Sequence, residues 1–308
     1  MLAQRPAFPD GHFYSPVVDI DEVARNQQRI WPDHPDLQGI RFRPSQQRRF
    51  LTRDFRRYVR DYDYPDEPRP EGDAYQFYTK NPQFSWLDAR ALFVMLRSLR
   101  PRTMIEVGSG FSSLLTADVN RRFFGNRLEF ISIDPFPPAP VAEGVPGISR
   151  LVRAKVEDVP LSEFQRLHRG DVLFIDSSHV SKTGSDVNRI VFEILPRLQA
   201  GVVIHFHDVF LPNDYPRDWV LGEGRSWNEQ YVLRALLMFT DAFEILFASA
   251  FVHHYFPDVV AAVLGGQTFG GGSLWLRRTR GTGFRRQLLA FGTGLVAGYT
   301  AGGFLRRD

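Results

Sequence analysis

Ile105-Glu106-Val107-Gly108-Ser109-Gly110-Phe111-Ser112-Ser113 is the stretch from which the rest of this 308-residue chain can be read. An apolar strand runs into a Gly-x-Gly turn, and a helix begins directly after it. Glycine lets the backbone turn tightly and approach a ligand with no Cβ in the way. The helix start behind the turn presents free N–H groups. A strand, a glycine turn and a helix in that order open an α/β sheet of the doubly wound kind.

Outward from this turn the same rhythm continues. Thr103–Val107, Leu128–Asp134, Arg150–Ala154, Asp171–Asp176 and Gly201–Asp208 read as short apolar strands. Ser112–Phe124, Leu161–Leu167 and Ser185–Leu198 between them read as helices, so the spacing predicts parallel strands with right-handed crossovers. Upstream, Ser85 and Asp88 have capping-box spacing before Leu92, Met95, Leu96 and Leu99, and Pro101 closes that helix. Downstream, Ser226 and Glu229 repeat the capping spacing ahead of a helix to Thr240. Phe243–Val252 and Ser273–Arg277 then predict two final strands with no long helix between them. The fold class is α/β: a Rossmann-like, doubly wound, mostly parallel sheet with a terminal antiparallel strand.

Composition removes several chemistries. The chain has no cysteine, which excludes a disulfide scaffold, a thiolate nucleophile, Cys-ligated zinc and iron–sulfur clusters. Its only lysines are Lys80, Lys155 and Lys182. None stands in a phosphate-binding Gly-Lys-Ser/Thr loop or in a Tyr-x-x-x-Lys pair. A formal net charge of +3 does not by itself imply nucleic acid. Asp, Glu and His are left to carry the chemistry.

Gly-x-Gly alone serves many cofactors, and two details here favour S-adenosylmethionine over a dinucleotide. Ser113 replaces the third glycine of the dinucleotide fingerprint, and Glu106 puts an acid where a pyrophosphate would be repelled. Such an acid suits a cofactor that carries an ammonium and a sulfonium. The predicted cofactor contacts are Glu106, Gly108, Ser109, Gly110 and Ser112, with Asp134 for the ribose hydroxyls. Glu157 or Asp158 follow the third strand, where an adenine would lie, and Asp176 borders the same ligand.

Reactive residues gather after strands four and five, in Phe174-Ile175-Asp176-Ser177-Ser178-His179 and Ile204-His205-Phe206-His207-Asp208. These are carboxyl ends of central strands, where open α/β sheets bind ligands. Asp176 and Asp208 can share a hard divalent cation, with His207 completing or flanking that shell. His205 shares a strand face with His207 but sits deeper. His179 is suited to take a proton from an attacking hydroxyl.

The run from Glu106 to Asp208 resembles class I S-adenosylmethionine-dependent methyltransferases, whose seven-stranded sheet ends in an antiparallel strand pair. Within that class it is most similar to the bacterial macrolide-sugar O-methyltransferase-like group. There an Asp-x-x-His motif after strand four supplies a metal ligand and a general base, which places those roles on Asp176 and His179. The acid pair after strand five reads His207-Asp208 in this chain. An imidazole in place of an oxygen ligand suits magnesium poorly and manganese or zinc better. The resemblance implies O-methylation of a small hydroxylated acceptor such as a sugar or glycosylated metabolite. The loop Pro212–Trp227, with Asp214, Tyr215, Trp219, Arg225 and Trp227, is either an acceptor-binding lid or a loop packing its own aromatics.

The predicted organisation is a Pro- and Arg-rich extension over 1–80, a methyltransferase domain over 81–280 and a Gly-rich tail over 281–308. A helix is predicted near 45–62, with Arg48, Arg49, Arg53, Arg56, Arg57 and Arg60 on one broad face. Gln287–Leu305 carries no charge and lies between Arg285–Arg286 and Arg306–Arg307. It reads either as a flexible or partner-packed tail or as a membrane-associated segment of bilayer length. No N-terminal signal pattern is visible, and a cytoplasmic location is expected. Two other functions fit the sequence. One is a non-catalytic nucleotide-binding or membrane-recruited protein with the same fold. The other is an RNA methyltransferase that uses the arginine helix.

Overall fold

A computed structural model of the chain describes residues 6–68, 76–266 and 270–280. The tail 281–308, including the charge-free run, lies outside the described residues. Seven strands form one sheet: β1 Thr103–Val107, β2 Glu129–Ile133, β3 Arg150–Val152, β4 Val172–Ile175, β5 Val203–Phe206, β6 Phe243–Ala248 and β7 Leu274–Arg278. Their order is β3-β2-β1-β4-β5-β7-β6. The first five are parallel, and β7 runs antiparallel to both β5 and β6. This is the α/β architecture expected. The central strands are buried on both faces, since every residue of β4 and β5 is buried although successive side chains point to opposite faces.

The strand order reverses between β1 and β4, and ligand crevices of such sheets form at that point. Register makes the crevice level. Val107 pairs with both Ile133 and Ile175, and Ile175 with Phe206. The residues just beyond them, Gly108, Asp134, Asp176 and His207, therefore emerge side by side.

Three expectations are corrected. The strand expected over Phe243–Val252 ends at Ala248, and helices Ser249–Tyr255 and Pro257–Val263 follow. Phe251 stacks on Phe42 at 4.6 Å, so the apolar run is buried as helix; a short run of this kind has no period to separate helix from strand. Neither capping box forms. Ser85 makes no side-chain cap, and the Asp88 carboxylate instead accepts the amides of Gly272 and Ser273 ahead of β7. Ser226 accepts the amide of Val18, and Glu229 turns inward at the start of helix Glu229–Phe239. A cap is worth about 1 kcal/mol, whereas buried donors left without acceptors cost more. The interior claimed both acids.

The predicted arginine helix is present as a continuous helical run from Pro44 to Asp61 with a π-helical turn at Phe50–Phe55. Leu51 and Phe55 are buried, and Phe50 meets Phe247 edge-on at 5.3 Å. Its six arginines are solvent-exposed. Residues before it reach the loop that follows β5, where Trp31 Nε1 donates to the carbonyl of Tyr215 at 2.8 Å. Among the described residues no helix is long and apolar enough to cross a membrane.

Candidate active site

A cavity of about 800 Å³ lies over the carboxyl ends of β1, β2, β4 and β5. At one end the glycine turn is held by its own surroundings. Gly108 N donates to Ile133 O, Ser109 donates through N and Oγ to Asp134, and Gly110 N donates to Ser113 Oγ. Ser113, where a dinucleotide turn has glycine, thus closes the loop from within. Gly108, Ser109, Gly110, Ser112, Asp134 and Glu157 all line the cavity. Asp134 is also engaged by the Phe136 amide, so it braces the turn and faces the cavity at once. Asp158 is exposed and does not line the cavity, which leaves Glu157 as the acid on that wall.

Glu106 is the second site residue that the structure displaces. It is fully buried behind the turn, where the hydroxyls of Ser112, Ser113 and Ser132 converge on its carboxylate. Side chains alternate along a strand, and one position before the strand end this one points under the helix instead of into the cavity. Burial pushes its carboxyl up to about 8, against the pull of the serines. A carboxyl raised on folding stabilises fully below its unfolded value of 4.5, and that contribution is lost as the pH climbs through about 8. Glu106→Gln should therefore flatten the fall in stability between these values, by about 1–3 kcal/mol in urea denaturation compared near pH 5.5 and pH 8.5. An unchanged slope would show that the folded protein carries Glu106 ionised.

The other end of the cavity holds the reactive cluster. Asp176 N donates to Val107 O and His207 N to Ile175 O, so the parallel ladder continues past the strands and fixes both residues. His179 and Asp208 adopt left-handed backbone, with φ of 60° and 56°. Non-glycine residues in that region cost energy and concentrate where a site demands them. His179 Nε2 stands 3.3 Å from Asp176 Oδ1 and 3.5 Å from Asp208 Oδ2, and its Nδ1 is 3.0 Å from Glu229 Oε2. His207 Nδ1 is 3.5 Å from both Asp176 Oδ2 and Asp208 Oδ1, and its Nε2 is 3.6 Å from Asp88 Oδ2. Each imidazole thus has a buried carboxylate behind it and the same two aspartates in front.

The charges follow. Burial works to lower the pKa of His179, but hydrogen bonds to Asp176 and Glu229 outweigh it and hold the ring at about 10. Burial likewise opposes charge on His207, and the nearby Asp208 and Asp176 drive it well above its usual value. Burial alone would raise Asp176; the charge of His207 and the hydrogen bond from His179 hold it well below the carboxylate range. Asp208 and Glu229 are raised by burial.

Asp176, His207 and Asp208 line the cavity, and His179 stands behind the aspartates rather than on the cavity wall. The base expected to face the acceptor is therefore turned into the cluster. His205 is structural: buried, stacked on Phe174 at 3.9 Å and hydrogen-bonded to Ser273. Glu229 and Asp88 are the residues that sequence reading missed, because their spacing after a serine imitates a helix cap. The loop after β5 contributes Trp219, Arg225 and Trp227 to the wall. The Arg225 guanidinium lies over both indoles, at 4.0 Å from Trp219 and 4.6 Å from Trp227, so these rings are packed by the loop's own arginine. Tyr215 is buried and Asp214 is taken by the Tyr231 hydroxyl, so neither is an open acceptor contact.

A glycine turn at the switch point of this sheet and an Asp/His cluster at the adjacent strand ends define a ligand-binding α/β domain with reactive groups. A family model described as a methyltransferase domain matches residues 105–209, from the glycine-turn strand to just past Asp208, so the chain carries a methyltransferase domain. It belongs to the same family as an uncharacterised protein of Archaeoglobus fulgidus, with 34% identity over 183 residues, 57% of this chain and 82% of that one. A crystal structure of the SAH-bound Podospora anserina methyltransferase PaMTH1 overlaps 84% of this chain and 94% of its own, at 17% identity and a TM-score of 0.41.

Proposed function

We propose that the protein transfers the methyl group of S-adenosylmethionine to a hydroxyl of a small acceptor, a sugar or glycosylated metabolite. The observation that carries this reading is one continuous cavity that joins the glycine turn to the carboxylates Asp176 and Asp208. The turn offers bare backbone to a ligand. A Cβ at Gly110 would meet nothing nearer than Gln83 Oε1 at 3.6 Å, so the space beside it is open.

Asp134 would accept hydrogen bonds from the ribose hydroxyls, and Glu157 would border the adenine. The acidic wall suits a cofactor that is cationic at sulfur and at its amino group. S-adenosylmethionine supplies the electrophilic methyl. Asp176 and Asp208 would hold a divalent cation, manganese or magnesium in the first instance, which supplies Lewis acidity toward the acceptor hydroxyl. Proton removal would fall to the cavity face of the cluster, where burial makes Asp208 the more basic carboxylate and the charged His207 orients it beside Asp176. Trp219, Arg225 and Trp227 wall this end against water. Holding donor and acceptor in one cavity removes much of the entropic barrier to their reaction.

Titration calorimetry with S-adenosylmethionine tests the reading. Micromolar binding and label transfer from the methyl-labelled cofactor to hydroxylated acceptors are the expected results. Absence of binding by the purified protein would overturn it.

A further inference from the structure

We propose that Asp176, His179 and Asp208 are the ligands of one divalent transition-metal ion, with Glu229 as the positioning carboxylate that fixes His179 for ligation. One ligand atom from each of the three lies within 4.8 Å of the others. The Nε2 of His179 is 3.3 Å and 3.5 Å from its two carboxylate neighbours. Donors bound to a common ion at about 2.1 Å stand about 3.0–3.4 Å apart. The two spacings from His179 Nε2 lie at or next to that range, and the two carboxylates stand within 4.8 Å of each other, so an ion needs only a small closing of the three.

Glu229 determines which nitrogen is offered. It accepts the Nδ1–H hydrogen bond at 3.0 Å, which turns Nε2 toward Asp176 and Asp208, where an incoming cation would replace the Nε2 proton. Carboxylate behind imidazole is how ligating histidines are commonly oriented and made more basic. The backbone reinforces the arrangement. The carbonyl of His179 accepts the amides of Asn228 and Glu229, and Asn228 exchanges two hydrogen bonds with Ser181. The loop after β4 and the helix that carries Glu229 are zipped together at this residue.

A second, independent observation points to a cation. His207 is 95% buried, since only 5% of it is exposed, and its Nδ1 has no hydrogen-bond partner although it faces Asp176 and Asp208 at 3.5 Å. The two carboxylates beside it are thereby left short of a donor, at a place where a further partner belongs. The charges agree. Asp88, Asp176, Asp208 and Glu229 surround two imidazoles, so even two imidazolium ions leave the cluster anionic.

The two histidines therefore exchange the places expected of them: His179 is a ligand, and His207 is the imidazole at the cavity wall. An imidazole among the ligands shifts preference from magnesium to manganese, iron, cobalt or zinc. The ion sits in the cavity of the proposed methyl transfer, and the proposal rests on that reading only for its place in the reaction.

The test uses the full-length protein, stripped with a chelator and titrated with manganese, cobalt and magnesium ions by calorimetry. One equivalent of manganese or cobalt should bind, each at least about tenfold tighter than magnesium. The bound cobalt should show a visible spectrum that changes in His179→Ala. His179→Ala should lose about 100-fold or more in affinity. Glu229→Gln, which keeps a hydrogen-bond acceptor, should lose about 10-fold and Glu229→Ala about 100-fold, with unfolding temperatures recorded for each. If His179→Ala does not fold, the two Glu229 variants carry the test through the cobalt spectrum. Full metal affinity and an unchanged cobalt spectrum in natively folded His179→Ala or Glu229→Ala would overturn the proposal. So would the absence of any metal binding, or tighter binding of magnesium. Calorimetry with S-adenosylmethionine is run in parallel: a protein that binds metal but not this cofactor keeps the metal site and loses the methyltransfer reading.

Discussion

Asp176→Asn is expected to lower methyl transfer by about 100- to 1,000-fold, the usual cost of removing one electrostatic contact at a reacting centre. S-adenosylmethionine affinity should stay within about threefold. The side chain keeps its shape, so only its charge is lost. Asp176 is the residue both imidazoles share, with His179 on Oδ1 and His207 on Oδ2. Its low pKa means that it is ionised throughout the neutral range, and no pH adjustment within that range will restore the variant. An uncharged amide leaves His179 and His207 compensated only by Asp208 between them, with Glu229 and Asp88 behind. Steady-state transfer to a hydroxylated acceptor and calorimetry with the cofactor separate the two effects. Retained turnover would remove Asp176 from the reacting centre.

The sheet was legible because its signal is local. Each parallel strand is a short apolar run, and each carboxyl end carries the polar residues that the crevice needs. Register then does the remaining work, since Val107, Ile133, Ile175 and Phe206 share one level. For this reason Gly108, Asp134, Asp176 and Asp208 could be placed together from sequence. Phe243–Val252 failed because a short buried run carries no period that distinguishes strand from helix.

The part of the site that was not legible is the part set by distant partners. The orientation of His179 is decided by Glu229, 50 positions later, and Asp88 meets Gly272 across 184 positions. Both acids stand in the first turn of a helix after a serine, where the local pattern has a sufficient explanation of its own. Glu106 failed for a geometric reason. It stands one residue before the strand end, and that single step sends its side chain under the sheet's helix layer. Sequence spacing identifies which residues reach a strand end; it does not say which way each ring or carboxylate faces once there.

Gly108→Ala is expected to destabilise the protein by about 3–5 kcal/mol, whereas Gly110→Leu should cost only about 1 kcal/mol as a poorer helix cap. The two glycines differ in what surrounds them. At Gly108, φ is 83° and an added Cβ would lie 1.9 Å from the carbonyl oxygen of Asp176. The clash is with backbone, and that backbone is held: Asp176 N donates to Val107 O, and Gly108 N donates to Ile133 O. Relief requires β1 and β4 to part at their carboxyl ends or the Asp176 peptide to tip. At Gly110 the backbone is extended and a Cβ enters open space on the cavity wall. Leucine there should leave the fold intact and lower S-adenosylmethionine affinity by about 100-fold, because its side chain occupies the ligand's volume. Urea denaturation and calorimetry on both variants give opposite patterns if this is right: one loses stability first, the other loses ligand. A Gly108→Ala protein of native stability that fails only to bind cofactor would show that the first glycine faces the ligand and not Asp176. The close contact has a consequence for the chemistry as well. The turn that opens the cofactor end of the cavity touches the peptide that carries the shared carboxylate, so any ligand that shifts Gly108 also moves Asp176 against its two histidines.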